Sequence, residues 1–189
     1  MLLYIDGAVR SESRTRDLAD YLAEKINGDA EYVRLADENI LPMDLETLSM
    51  RDKASQKCDF SNPYFNYAKQ FARADEIILA APFWDLSFPS AVKAYLETIC
   101  VVGLTFSYSD KGFPIGMCRA KRLYYVTTAG GTIANDAYGF GYVKALAQDM
   151  FGIDEVLLVK AENLDVFGSD VDKIMSDAKS KTDTLFLSV

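Results

Sequence analysis

The chain has 189 residues, a mass of 21.0 kDa and a hydrophobic fraction of 50%, the size and composition of one globular domain over residues 1–189 rather than a disordered segment. It contains no histidine, which excludes Ser-His-Asp and Cys-His catalysis, histidine-ligated metal sites and histidine acid–base chemistry, so no metal is expected and any reaction must use other groups or a cofactor. The formal net charge of -8, from 28 acidic against 20 basic residues, repels polyanions and argues against nucleic acid or an anionic membrane as partner.

Read in chain order, apolar runs of strand length alternate with helical patterns. Leu2-Leu3-Tyr4-Ile5 is the first strand, and the Asp6 that ends it cuts the run far short of a signal peptide. Leu18, Tyr21, Leu22 and Ile26 then fall on one helix face, followed by a strand at Tyr32-Val33-Arg34-Leu35. Ala36 to Cys58 is polar, carries Pro42 and lacks a period; it reads as a long excursion with at most a short helix. Ile77-Ile78-Leu79-Ala80-Ala81 is the third strand. The helix after Pro89 carries Ala91, Tyr95, Leu96 and Ile99 on one face, and Val92, Val101 and Val102 widen its apolar surface, a breadth that fits either subunit contact or burial in one domain.

Alternation around a turn within Gly103 to Cys118 predicts a small β-hairpin inserted before the fourth strand, Leu123-Tyr124-Tyr125-Val126-Thr127. Val143, Leu146, Ala147 and Met150 form a third helical stripe, Val156-Leu157-Leu158-Val159 a fifth strand, and Val171, Ile174, Met175 and Ala178 a last stripe. Near-continuous apolar strands separated by helices predict a doubly wound α/β fold with a parallel sheet. No stretch approaches the roughly 18 apolar residues of a membrane span. Cys58, Cys100 and Cys118 are widely spaced without a C-x-x-C pair, as reduced thiols are, and a cytoplasmic location is expected.

In such a sheet, ligands bind at the carboxyl ends of the strands, where three loops stand out. After the first strand, Arg10, Ser13, Arg14 and Thr15 place hydroxyls and positive charge at a helix N-terminus, an arrangement suited to a phosphate, although a serine or threonine here also serves as a plain cap. The chain lacks G-x-G-x-x-G and G-x-x-x-x-G-K-[ST], which disfavours a dinucleotide fold and a P-loop. After the third strand, Pro82, Phe83, Trp84, Asp85 and Leu86 put the only tryptophan in a proline-stiffened loop, there to cover a planar ligand or to plug the end of the core. After the fourth, Thr127, Thr128, Ala129, Gly130 and Gly131 let backbone approach a ligand closely, or simply turn.

With its motifs in this order, the chain resembles the FMN-dependent NAD(P)H oxidoreductases of the flavodoxin-like azoreductase and quinone reductase family, over nearly its whole length. Ser13-Arg14-Thr15 is similar to that family's phosphate loop, Ala81-Pro82-Phe83-Trp84-Asp85-Leu86 to its Ala-Pro-aromatic-aromatic-Asn-Phe loop, Thr127 to Gly131 to its Gly-Gly segment beside the flavin, and Gly103 to Tyr108 to its Gly-x-Thr-Phe-x-Tyr stretch. The resemblance implies a five-stranded sheet of order 2-1-3-4-5 with helices on both faces, and non-covalent FMN held by the three loops. It further implies hydride from NADH or NADPH passing through flavin N5 to a quinone or azo acceptor in two-electron, ping-pong fashion, with no protein residue as obligatory acid or base. Phe106 is the implied substrate contact, and a homodimer the implied assembly. Asp85 stands where many relatives have an amide, and Ala129 where some have arginine; a carboxylate near the flavin disfavours its anionic reduced form. The alternatives on the same fold are a flavodoxin-type electron carrier and a flavin reductase.

Overall fold

The computed structural model describes residues 1–26 and 28–186, so the last three residues of the expected 1–189 domain lie outside the described residues. All five apolar runs are parallel strands of one sheet. They are β1 (Leu2–Asp6), β2 (Ala30–Arg34), β3 (Glu76–Ala80), β6 (Arg122–Thr128) and β7 (Glu155–Ala161), in the order β2-β1-β3-β6-β7. Counted along the sheet alone, this is the 2-1-3-4-5 order expected. The inserted hairpin is present as β4 (Phe106–Tyr108) and β5 (Pro114–Gly116), paired antiparallel with Phe106 opposite Gly116.

Side-chain alternation along each strand assigns the two faces. Leu3, Ile5, Ile77, Leu79, Leu123 and Tyr125 point to one side, against α3 (Asn66–Arg73), α4 (Ser90–Ile99) and α5 (Phe140–Ala145). Leu2, Tyr4, Ile78, Ala80, Tyr124 and Val126 point to the other, against α1 (Arg14–Ile26) and α6 (Val171–Asp183). A sheet covered on both faces requires apolar residues at every position of its central strands, which explains the unbroken runs in the sequence.

The expectation for Ala36 to Cys58 needs correction. Its second half is a helix of 13 residues, α2 (Leu45–Lys57), capped by the Asp44 carboxylate, which accepts from the Thr47 amide at 2.8 Å. Ala54 is its only buried residue, so no apolar stripe betrayed it. The eight residues of α3 bury Ala68 and Phe71 with Tyr67 and Ala72 half-buried beside them, one helical face that lasts only about two turns. The third stripe also differs: α5 passes into a π-helical turn, Leu146–Phe151, whose wider winding puts Val143, Ala147 and Phe151 in the core and leaves Leu146 and Met150 half-buried. The broad apolar surface of α4 is explained within the chain, because Val92, Ile99 and Val101 are fully buried and Val102 alone is exposed.

Candidate functional site

The chain runs outward from β1 to β2 in one direction and to β3 in the other, so a crevice opens over the carboxyl ends of β1 and β3. Gly7 permits the first loop to cross there. Its amide donates to the Ala80 carbonyl at 2.7 Å, and a Cβ at this position would run into Val92 and that same carbonyl oxygen.

The loop that follows is shaped by an arginine the sequence reading did not single out. Asp6, 7% exposed, accepts from the Ala8 amide at 2.8 Å and from Arg16 Nε at 2.6 Å. The Arg16 guanidinium also donates to the carbonyls of Ser11 at 2.7 Å and Ala8 at 3.0 Å, so the chain is wrapped around it. An arginine in the first turn opposes the helix dipole, and that unfavourable placement is the one sequence signal it carried. Ser13 caps α1 by accepting from the Arg16 amide at 3.3 Å. The backbone amides from Val9 to Thr15 have no acceptor among the described residues. Such a run of free donors at a helix N-terminus is an anion site in its own right.

The cations are disposed unevenly. Arg14, grouped with Arg10 in the sequence reading, turns away to Asp165 at 2.7 Å, and Lys179 pairs with Asp17 at 2.9 Å. Arg10 is exposed and makes no ion pair among the described residues. Thr15 and Thr128 join their hydroxyls at 2.6 Å in a buried contact that fixes the first loop to the end of β6.

The aromatic loop is a tight hairpin. Trp84 and Ser87 exchange backbone hydrogen bonds at 3.1 and 2.8 Å, and the two residues between them, Asp85 and Leu86, have φ of 50° and 67°. Positive φ at both central positions is the geometry of a type I′ turn, in which glycine is preferred where Leu86 stands. Left-handed backbone costs an L-residue roughly 1–2 kcal/mol, so Leu86→Gly is expected to stabilise the chain by up to about 1 kcal/mol after glycine's own entropy is set against it. A urea denaturation midpoint that falls would contradict this.

These loops enclose one cavity of about 990 Å3, at the upper end of the size range of ligand pockets. Of the residues predicted, Arg10, Ser13, Arg14, Thr15, Pro82, Phe83, Trp84, Thr128, Ala129 and Gly130 line it. Asp85 and Leu86 sit at the exposed hairpin tip, Gly131 is exposed beyond the lining, and Thr127 projects from the opposite face of β6. Phe106 is 4% exposed, packed edge-on against Tyr108 with ring centres 5.5 Å apart, and is not part of the lining. Unforeseen lining residues are Leu164 and Asp165, after β7, and Tyr21, Met175 and Lys179, where the cavity continues between α1 and α6.

The family model for the flavodoxin-like fold matches residues 1–185. The chain belongs to the flavodoxin-like fold family. It is 34% identical over 95% of its length, and 94% of the relative's, to a Clostridium beijerinckii protein named FMN-dependent NADH:quinone oxidoreductase. It is 33% identical to a Clostridium perfringens protein of the same name, with 97% and 96% of the two chains covered. Among solved structures it is similar to an azoreductase from Bacillus anthracis, with a TM-score of 0.85 at 18% identity and 97% of both chains covered.

The three cysteines of this flavodoxin-like chain lie apart from the cavity lining. Cys58 is exposed at the end of α2, whereas burial pushes the thiols of Cys100 and Cys118 up to about 11 and about 12. A thiol-reactive dye is therefore expected to label Cys58 rapidly in the native protein and the other two only on unfolding. Equal rates at all three would refute it.

Proposed function

We propose that this chain is an FMN-dependent NAD(P)H oxidoreductase that reduces quinones or azo compounds by two electrons in ping-pong fashion. The observation that carries the reading is the convergence, in one cavity, of the free amides from Val9 to Thr15 with the Pro82–Trp84 and Thr128–Gly130 segments. The residues present fit FMN. The amides, the Ser13 and Thr15 hydroxyls and the unpaired Arg10 suit a phosphate dianion, and the aromatic and backbone-lined end suits a flat ring system. Bound there, FMN would take hydride from the nicotinamide and hand two electrons to the acceptor. The chain's own part is to hold the phosphate, to fix the ring between two loops braced on β6, and to exclude water with Phe83 and Trp84. The names of the relatives favour NADH as donor and a quinone as acceptor.

The reading extends to a homodimer, supported by exposed apolar side chains on the hairpin and before α2, among them Tyr108, Phe113, Ile115 and Leu41. It also extends to a cytoplasmic location, where NADH is supplied and thiols remain reduced. Neither nucleic acid nor a membrane is a partner in this reading; the net charge is -8, and among the described residues no helix is long and apolar enough to cross a bilayer.

Purified protein is expected to bind one FMN and turn yellow. Rapid mixing with NADH should then bleach it, and a quinone should restore the colour. No binding of added FMN would end the proposal, while binding without bleaching would favour an electron carrier. Sedimentation as a monomer would remove the dimer alone.

A further inference from the structure

Three cations line the large cavity, Arg10, Arg14 and Lys179, and two of them are held by carboxylates that line it too. The Arg14 pair stands at the anion site itself. Arg14 opens α1 within the run of free amides from Val9 to Thr15, where a guanidinium would ordinarily join the amides in meeting an anion. Instead its Nη1 donates to Asp165 Oδ1 at 2.7 Å and reaches the Leu164 carbonyl at 3.5 Å.

Backbone pairing holds Asp165 in this place. Its amide donates to the Gly130 carbonyl at 2.9 Å, and the Leu164 and Asn163 amides donate to the carbonyls of Ala129 at 3.2 Å and Gly131 at 3.1 Å, which continues the pairing of β6 with β7 past the strand ends. Gly130 makes the room: a Cβ there would stand 2.4 Å from Asp165 Oδ2. The pair is exposed, 46% for Arg14 and 70% for Asp165, so it holds the guanidinium by no more than about fivefold in an equilibrium. That is still enough to be measured. A ligand that needs the freed arginine binds more weakly in proportion to the fraction of protein in which it is free. We propose that Asp165 withholds Arg14 from a phosphate group bound at the Val9–Thr15 amides, and so limits how tightly FMN is held. The cofactor then exchanges more readily than its donor set alone would allow. That the phosphate belongs to FMN rests on the reading above; the competition for Arg14 does not.

The test is calorimetric titration of the flavin-free chain with FMN and riboflavin, together with thermal unfolding in inorganic phosphate, for the parent, Asp165→Asn, Asp165→Ala, Arg14→Ala and the double alanine variant. Replacing Asp165 should tighten FMN by about three- to fivefold and leave riboflavin, which has no phosphate, unchanged. A residue that merely held the loop would lose affinity when replaced. In the Arg14→Ala background the same replacement should bring little gain, because no guanidinium remains to be released. Unchanged or weakened FMN binding in both Asp165 variants overturns the proposal. So does a gain that survives in full without Arg14, which would make Asp165 only a repelling charge, and so does an equal gain for riboflavin, which would place the effect on the ring or the ribityl chain. A parent that binds neither flavin removes the FMN reading alone. Inorganic phosphate then decides, because its stabilisation of the fold should be larger in Asp165→Ala than in the parent, and equal stabilisation would overturn the withholding as well.

Discussion

Arg16→Ala is expected to lower stability by about 3 kcal/mol, a large effect for one side chain, because breaking a largely buried ion pair leaves the surviving carboxylate with only a more distant counter-charge, Arg34. Asp6 would keep the Ala8 amide at 2.8 Å and, farther off, the Arg34 guanidinium at 3.9 Å, at the covered end of β1, where its side chain is 10% exposed. For a domain of this length the loss corresponds to a fall in Tm of roughly 6–12 °C. The loop would suffer as well. Without the guanidinium, the Ala8 and Ser11 carbonyls lose their common donor, and the amides from Val9 to Thr15 lose their fixed arrangement. FMN binding should therefore collapse in this variant even at temperatures where it is folded. Asp6→Asn is the informative comparison, because it keeps an acceptor for Ala8 and leaves no unpaired anion, and it should cost markedly less. A shift in Tm of less than about 2 °C for Arg16→Ala would show that the pair does not hold the loop.

Arg10→Ala is expected to raise the FMN dissociation constant by about tenfold or more, the usual scale of a lost charge-assisted hydrogen bond. Riboflavin separates this from general damage, since it lacks the phosphate and should bind both proteins equally well. Arg14→Ala should do less, because its guanidinium is already engaged by Asp165. The contrast reverses the weight the sequence alone places on Ser13-Arg14-Thr15. Calorimetric titration with the two flavins measures it, and equal losses for FMN in both arginine variants would refute the assignment.

The legible parts of the fold are those where one chemical requirement acts on consecutive residues. A strand packed on both faces must be apolar throughout, so β1, β3 and the core of β6 stand out without reference to anything else. An amphipathic helix with a full stripe, such as α1, is legible for the same reason. α2 and α3 are not: α2 buries Ala54 alone and leaves no period, whereas α3 puts Tyr67, Ala68, Phe71 and Ala72 on one face but lasts only eight residues. Much of the site could be located from the loops after β1, β3 and β6, because sheet topology brings strand ends together whatever the loops contain. Leu164, Asp165 and Arg16 were missed, as their importance comes from partners far away in the chain or from carbonyls that carry no side-chain signature.

Composition and pattern by themselves determined that this is a doubly wound α/β chain without histidine chemistry, with three unusual loops at one sheet edge. They could not decide which basic residue is free to meet an anion, which hydroxyl faces the cleft or where Phe106 points. Those answers depend on pairing across long separations: Arg14 is taken by Asp165, Thr15 meets Thr128, and Thr127 turns to the other face of the same strand. A residue type states what a side chain can do. Only the packed chain decides which of its possible partners reaches it first, since charge and hydrogen-bond energies act over a few ångströms and the sequence contains no such distance.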